Sequence, residues 1–264
     1  MLLTFAAHRL CLAAPGIGGL SFDASVAPVQ TRYFENNYWH WLWAWLSLDW
    51  GRSYVHHLEV SSLVGAAFLT TTWIALLAIV MAYSGGLILG LYAAAHRDQW
   101  SDRLLNAWLL FLGTIPSYMT GLLLMLVFAT NLWWGLAVLC LAYPMLARLV
   151  RFVRRRALDV MSKDFVTMSL ARGLPQSIVM QRHVLPHVVL PLLGLLAVDV
   201  PYLLSGSVLL ESIFRVRGLG LLAYEALLQR DFQVLLAIVA LAALLTLLVS
   251  FLTERATLRI VHDT

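Results

Sequence analysis

From Val64 to Ala95 the chain carries no charged side chain, and the same holds from Leu104 to Thr130 and from Val234 to Leu252. A bilayer core about 30 Å thick is crossed by about 20 apolar helical residues. Inside it every backbone N–H and C=O must be satisfied, which an α-helix does within a single segment. Runs this long therefore read as transmembrane helices. Composition points the same way: 61% of residues are hydrophobic, against about 45–50% in soluble globular domains. The 264 residues are thus expected to form an all-α polytopic membrane protein, not one or two soluble domains.

Six transmembrane helices are expected, at about 2–22, 64–95, 104–130, 132–149, 188–210 and 234–252, in one domain covering 1–264. The first is the weakest: only Leu10 to Phe22 is free of charge, and it reaches spanning length only with Arg9 near the cytoplasmic side. With no small-residue cleavage site after it, it reads as a retained span rather than a signal peptide. Residues 23–60 are polar and rich in Trp and Tyr, residues that favour the membrane interface, so an interfacial segment on the outer face is expected. Pro116, with Ile115 and Ser117, interrupts the third run; a mid-span proline bends a helix, for packing or as a flexible gate.

The charge is basic, +4 net, and Lys163 is the sole lysine. Arg9, Arg97, Arg103, Arg255, Arg259 and the eight basic residues from Arg148 to Arg182 fall on one side of this arrangement. Arg32, Arg52, Arg215, Arg217 and Arg230 fall on the other. Basic residues beside spans are retained in the cytoplasm, so both ends are expected there, in a bacterial inner membrane. A nucleic-acid-binding reading fails because these residues flank spans instead of forming a basic domain.

The polar island between the fourth and fifth spans, residues 150–187, is expected to be a cytoplasmic loop with two short helices. Asp164 is placed to cap a helix from Phe165. Gly173 stops it, and Pro175 starts a second that ends at Pro186. The order Phe165-Val166, Ala171-Arg172-Gly173-Leu174, Arg182-His183-Val184-Leu185 and Leu190-Pro191 resembles the coupling loop of ABC importer permeases. The dipeptide/oligopeptide/nickel-type branch is the nearest match. Met168-Ser169-Leu170 stands where that family usually has small residues. Asp49-Trp50-Gly51-Arg52-Ser53, Asp102 to Leu124, and Glu211 to Asp231 with Gly218-Leu219-Gly220 are similar to the same branch. Arg217 replaces a proline usual there. A weaker resemblance is to Sap-like antimicrobial-peptide or polyamine members.

This resemblance implies a type I permease fold and one half of a translocation path for peptides or a related small solute. Nickel chelate or polyamine transport by the same architecture is the alternative. The implied partners are a second homologous permease subunit, cytoplasmic ATPase subunits and an extracytoplasmic solute-binding protein. Phe165, Ser169, Ala171, Arg172, Gly173, Leu174 and Pro175 would form the ATPase-coupling contact, with Gly173 as its corner.

The residues themselves offer no enzyme. No Gly-rich phosphate loop ending in Lys-Ser/Thr is present, so ATP would be bound by partner subunits and no cofactor by this chain. His183 and His187 have the spacing of a metal pair, but Pro186 lies between them and no carboxylate joins them; no metal is expected. His56 and His57, being adjacent, point apart. An intramembrane enzyme lacks a nucleophile, and a stand-alone secondary transporter would show inverted repeats that are absent here. Cys11 and Cys140 read as inert buried thiols.

Asp199 is the telling charge, since a carboxylate within a span is costly and faces protein or a water-filled cavity. Either it lines the path and favours cationic or amino groups, or it is satisfied by a neighbouring helix. Pro116, Ser117, Tyr202, Ser205 and Glu211 complete the candidate path.

Overall fold

The computed structural model describes residues 50–127 and 133–262, with positions 43 and 47 ahead of them. Side chains are described at 43 and 47, from 50 to 127 and from 134 to 257. Residues from Trp50 onward make one compact unit. The expected span at 2–22 and most of the aromatic segment lie outside the described residues.

Among the described residues the regular elements are helices: α1 (Val60–Ala95), α2 (Trp100–Thr114), α3 (Ser117–Val127), α4 (Trp133–Met161), α5 (Asp164–Ala171) and α6 (Gln176–Val179). A π-helical turn (Met180–Val184) then leads into α7 (Leu185–Gly194), α8 (Leu196–Phe214), α9 (Leu219–Leu228) and α10 (Phe232–His262). Among the described residues four helices are long and apolar enough to cross a membrane, namely α1, α4, α8 and α10. The α2–α3 pair makes a fifth if counted as one broken span.

The bundle is centred on the crossing of α1 with α4. Small residues set how close two membrane helices come, because lipid offers no hydrophobic force to drive them together. On α1, Gly86 faces Leu149 and Gly90 faces Val153. A Cβ added at either would sit 2.7 or 2.6 Å from the partner's Cβ, well inside contact. Ala78, Ala82 and Ala94 extend the same face against Ala142, Met145, Leu149 and Val153, and Leu203, Leu210 and Phe214 of α8 close the core. A second cluster joins Val60, Val64 and Ala67 to Leu219, Ala226, Val234 and Ala237, packing the first turns of α1 on α9 and α10.

Several boundaries differ from the sequence expectation, each for a local reason. The helix of the fourth span does not stop at Leu149. Val150, Val153 and Ala157, all fully buried, carry its apolar stripe through the arginine cluster to Met161. Residues 150–161 are therefore helix, and the loop proper is shorter than 150–187. Asp164 is the first helical residue of α5, not its cap, which is Lys163. Pro186 does not end a helix. The wide π turn before it bonds Leu185 N–H back to Met180 O, so the proline lands in the first turn of α7, where its missing N–H costs nothing.

At Pro116 the chain breaks more sharply than a kink, α2 and α3 meeting at 89°. The Tyr143 hydroxyl, from α4, donates to Ile115 O at 2.7 Å and lies 2.9 Å from Thr120 Oγ1, so the backbone opened by the break is satisfied.

Candidate functional site

The segment expected to couple to an ATPase hangs between the ends of α4 and α7. Val166 anchors α5 at full burial, and Val179 and Met180 anchor α6 and the turn after it. Between these anchors, residues 170–178 are all exposed. Gly173 stands at φ +80°, the left-handed stop expected of it, with open space around it. Gln176 Nε2 donates to Ala95 O at 3.3 Å, which puts this segment at the same end of the bundle as the end of α1.

Its outer surface is apolar. Phe165, Met168, Leu170, Leu174 and Ile178 are all at least 38% exposed, Met168 reaching 62%. Five large apolar side chains on two short helices beside an arginine-rich helix end form an unpaired patch, the kind that marks a protein contact. Of the expected contact residues, Phe165, Ala171, Arg172, Gly173, Leu174 and Pro175 are exposed on this segment and Ser169 is half-buried, its hydroxyl donating to Phe165 O at 2.8 Å. Met168 and Leu170 were marked from the sequence only as a departure from the small residues usual in that family, and Ile178 was not singled out. Their signal was present, as apolar residues one helical turn from Phe165 and Leu174.

The candidate path residues divide. On α8, Val198, Tyr202, Ser205 and Leu209 share one exposed stripe, while Asp199, Leu203, Ser207, Leu210 and Glu211 face inward. Pro116 is exposed and Ser117 half-buried at the α2–α3 break. Asp199 is wholly buried. Its Oδ2 accepts the Tyr83 hydroxyl at 2.7 Å and its Oδ1 pairs with Arg148 Nη2, so one carboxylate joins α1, α4 and α8. The Tyr202 ring lies over the Arg148 guanidinium, 5.6 Å from centroid to Cζ. Arg148 was counted from sequence with the cytoplasmic charges at the end of the fourth span, and its pairing with Asp199 of α8 was not foreseen.

Glu211 is also wholly buried. Its carboxylate accepts Thr71 Oγ1 at 2.8 Å and the backbone N–H of Gly220 and Leu221 at 2.7 and 3.2 Å, capping the start of α9. The glycines of Gly218-Leu219-Gly220 make room for it. A Cβ at Gly218 would fall 2.4 Å from Glu211 Oε2, and one at Gly220 2.5 Å from Val208 Cα.

Two further clusters pin the ends of the bundle. Asp102 on α2 accepts two hydrogen bonds from Arg154 on α4, at 2.7 and 2.6 Å, with Asn106 Nδ2 adding a third at 2.6 Å. Ser53 Oγ donates to buried Asp231, which also accepts Val234 N–H at the start of α10. No group of three or more His, Cys, Asp or Glu suited to a metal occurs among the described residues.

Comparison with known proteins places this arrangement. Residues 86–262 match the family described as binding-protein-dependent transport system inner membrane component. The glutathione transport system permease protein GsiC of Salmonella typhimurium (strain LT2) is 28% identical over 229 residues, covering 82% of this chain and 75% of that protein. GsiC of Escherichia coli K12 is 27% identical over 231 residues, covering 83% and 76%. The MetNI methionine ABC transporter in inward-facing conformations shares the fold, with TM-score 0.66 at 18% identity over 75% of this chain and 96% of that one. An amino acid ABC transporter with histidines gives 0.60 at 18% identity, over 75% and 94%. The chain belongs to the family of binding-protein-dependent transport system inner membrane components, and is a permease subunit of an ABC importer, a transport component and not an enzyme.

Proposed function

We propose that this permease carries small peptides or peptide-like solutes inward, glutathione among them, with a second homologous permease subunit forming the other half of the path. Cytoplasmic ATPase subunits dock on α5, α6 and the Gly173 corner, and an extracytoplasmic binding protein delivers the solute at the opposite end. This chain binds no cofactor of its own, and ATP is held by the ATPases. The observation that carries the reading is the apolar coupling patch around Met168 and Leu174, set at the bundle end where the basic residues cluster. The glutathione permeases related to it supply the solute class.

On this reading both chain ends are cytoplasmic and closure of the ATPases pushes α5 and α6. The push is transmitted through α4 and α7, which flank the segment, and the spans rock between inward- and outward-open states. Tyr202 and Ser205 line the path. Asp199 and Glu211 hold helices beside it, and the α2–α3 break at Pro116 and Ser117 supplies a joint.

The test is glutathione uptake by proteoliposomes holding the whole transporter. Uptake that requires both ATP and the binding protein is the expected result. Uptake driven by a proton or sodium gradient without ATP, or no uptake of glutathione, would overturn it.

A further inference from the structure

The Arg148–Asp199 pair is lopsided. Asp199 is fully buried and both of its oxygens are occupied, one by Arg148 and one by Tyr83. Arg148 is not used up. Its side chain is 42% exposed, a single nitrogen bonds to Asp199, and its Nε is buried without a partner. A guanidinium has five N–H donors in a planar fork that fits carboxylates two at a time. The side of the pair left open is therefore cationic, while its negative member is sealed inside.

Position gives this residue a meaning. Arg148 and Asp199 both lie within helices long and apolar enough to cross a membrane, Arg148 in α4 and Asp199 in the first turn of α8. An exposed arginine within a spanning helix is not left facing lipid, and such residues face a bundle interior or a water-filled cavity. Tyr202, stacked on the guanidinium and 44% exposed, belongs to the same open stripe of α8 as Ser205. An arginine, a tyrosine and a serine thus share one open polar surface of the bundle.

We propose that Arg148 contacts the carboxylate of the passing solute, held by Asp199 and Tyr83 as positioning residues, so that this permease selects carboxylate-bearing solutes. Asp199 alone would favour cations; sealed behind Arg148 it does the reverse. The inference rests on the peptide-importer reading above and names the solute group that the path reads.

The experiment uses the whole transporter in proteoliposomes and two probes, glutathione and the same tripeptide with its glycine carboxylate converted to an amide. The readout is the preference for glutathione over the amide. Arg148→Gln alone strands a buried carboxylate, so the informative variants are Arg148→Gln with Asp199→Asn, which removes both charges, and Arg148→Lys, which keeps the charge and loses the fork. The preference is expected to fall about tenfold in the double variant, the scale of a lost charge-assisted pair, and by less in the lysine variant.

Loss of both uptakes in equal proportion, or an unchanged preference, overturns the proposal and makes the pair structural. If the double variant does not assemble, Arg148→Lys decides alone, and an unchanged preference in it overturns the proposal. Uptake of neither probe by the wild-type transporter overturns the peptide reading instead.

Discussion

Glu211 illustrates how far a single side chain reaches in this molecule. Its carboxylate bonds Thr71 on α1 and two backbone N–H groups of α9, so three helices meet on one buried group. Thr71→Ala removes one of those partners and should cost about 1–3 kcal/mol, read as a lower melting temperature of the detergent-solubilised protein. Thr71→Ser, which keeps the hydroxyl, should restore most of it. Gly218→Ala should be worse than either, since the new methyl would meet the Glu211 oxygen at 2.4 Å and push it off its partners. From sequence, Glu211 and the Gly-Leu-Gly run were visible as separate marks. The bond from Thr71 to Glu211 was not, because those two residues are 140 positions apart and nothing local pairs them.

At the scale of elements, the apolar runs that form α1 and α10 were legible and the charged helix was not. Span ends were read where charge began, and at Leu149 that rule failed. Arg148 and Arg154 of α4 are accommodated by partners 51 and 52 positions away, Asp199 and Asp102, while Val150, Val153 and Ala157 keep the helix packed. Pro116 was legible as a break because proline acts locally; Pro186 was misread because the π turn before it is not written in any single residue. Two predictions belong here. Asp102→Ala leaves Arg154 without its partner and should cost about 3–5 kcal/mol, whereas Asp102→Asn with Arg154→Gln should recover part of that loss in a double-mutant melting comparison. Gly86→Val should separate α1 from α4 and lower the melting temperature. Gly65→Ala, where nothing lies within 4 Å, should leave it unchanged or raise it.

For the whole molecule, the claims are an orientation and a docking surface. In a background free of Cys11 and Cys140, a cysteine at Ser177 should react with an impermeant maleimide only from the cytoplasmic side, and one at Gln229 only from the other; the reverse pattern would invert the topology. The docking surface was partly legible, since Gly173 and its neighbours carried the family resemblance, while Met168, Leu170 and Ile178 emerged as part of it only when the helices were placed. The most direct measurement is recovery of ATPase activity with the tagged chain, purified from membranes that also make its transport partners. Wild type should bring down ATPase, and Met168→Asp or Leu174→Asp should cut it at least about tenfold, as charges buried at a contact do. Gln229→Ala, at the other end, should retain it. Wild-type chain recovered without any ATPase under several mild detergents, or equal ATPase with all variants, would contradict the coupling surface.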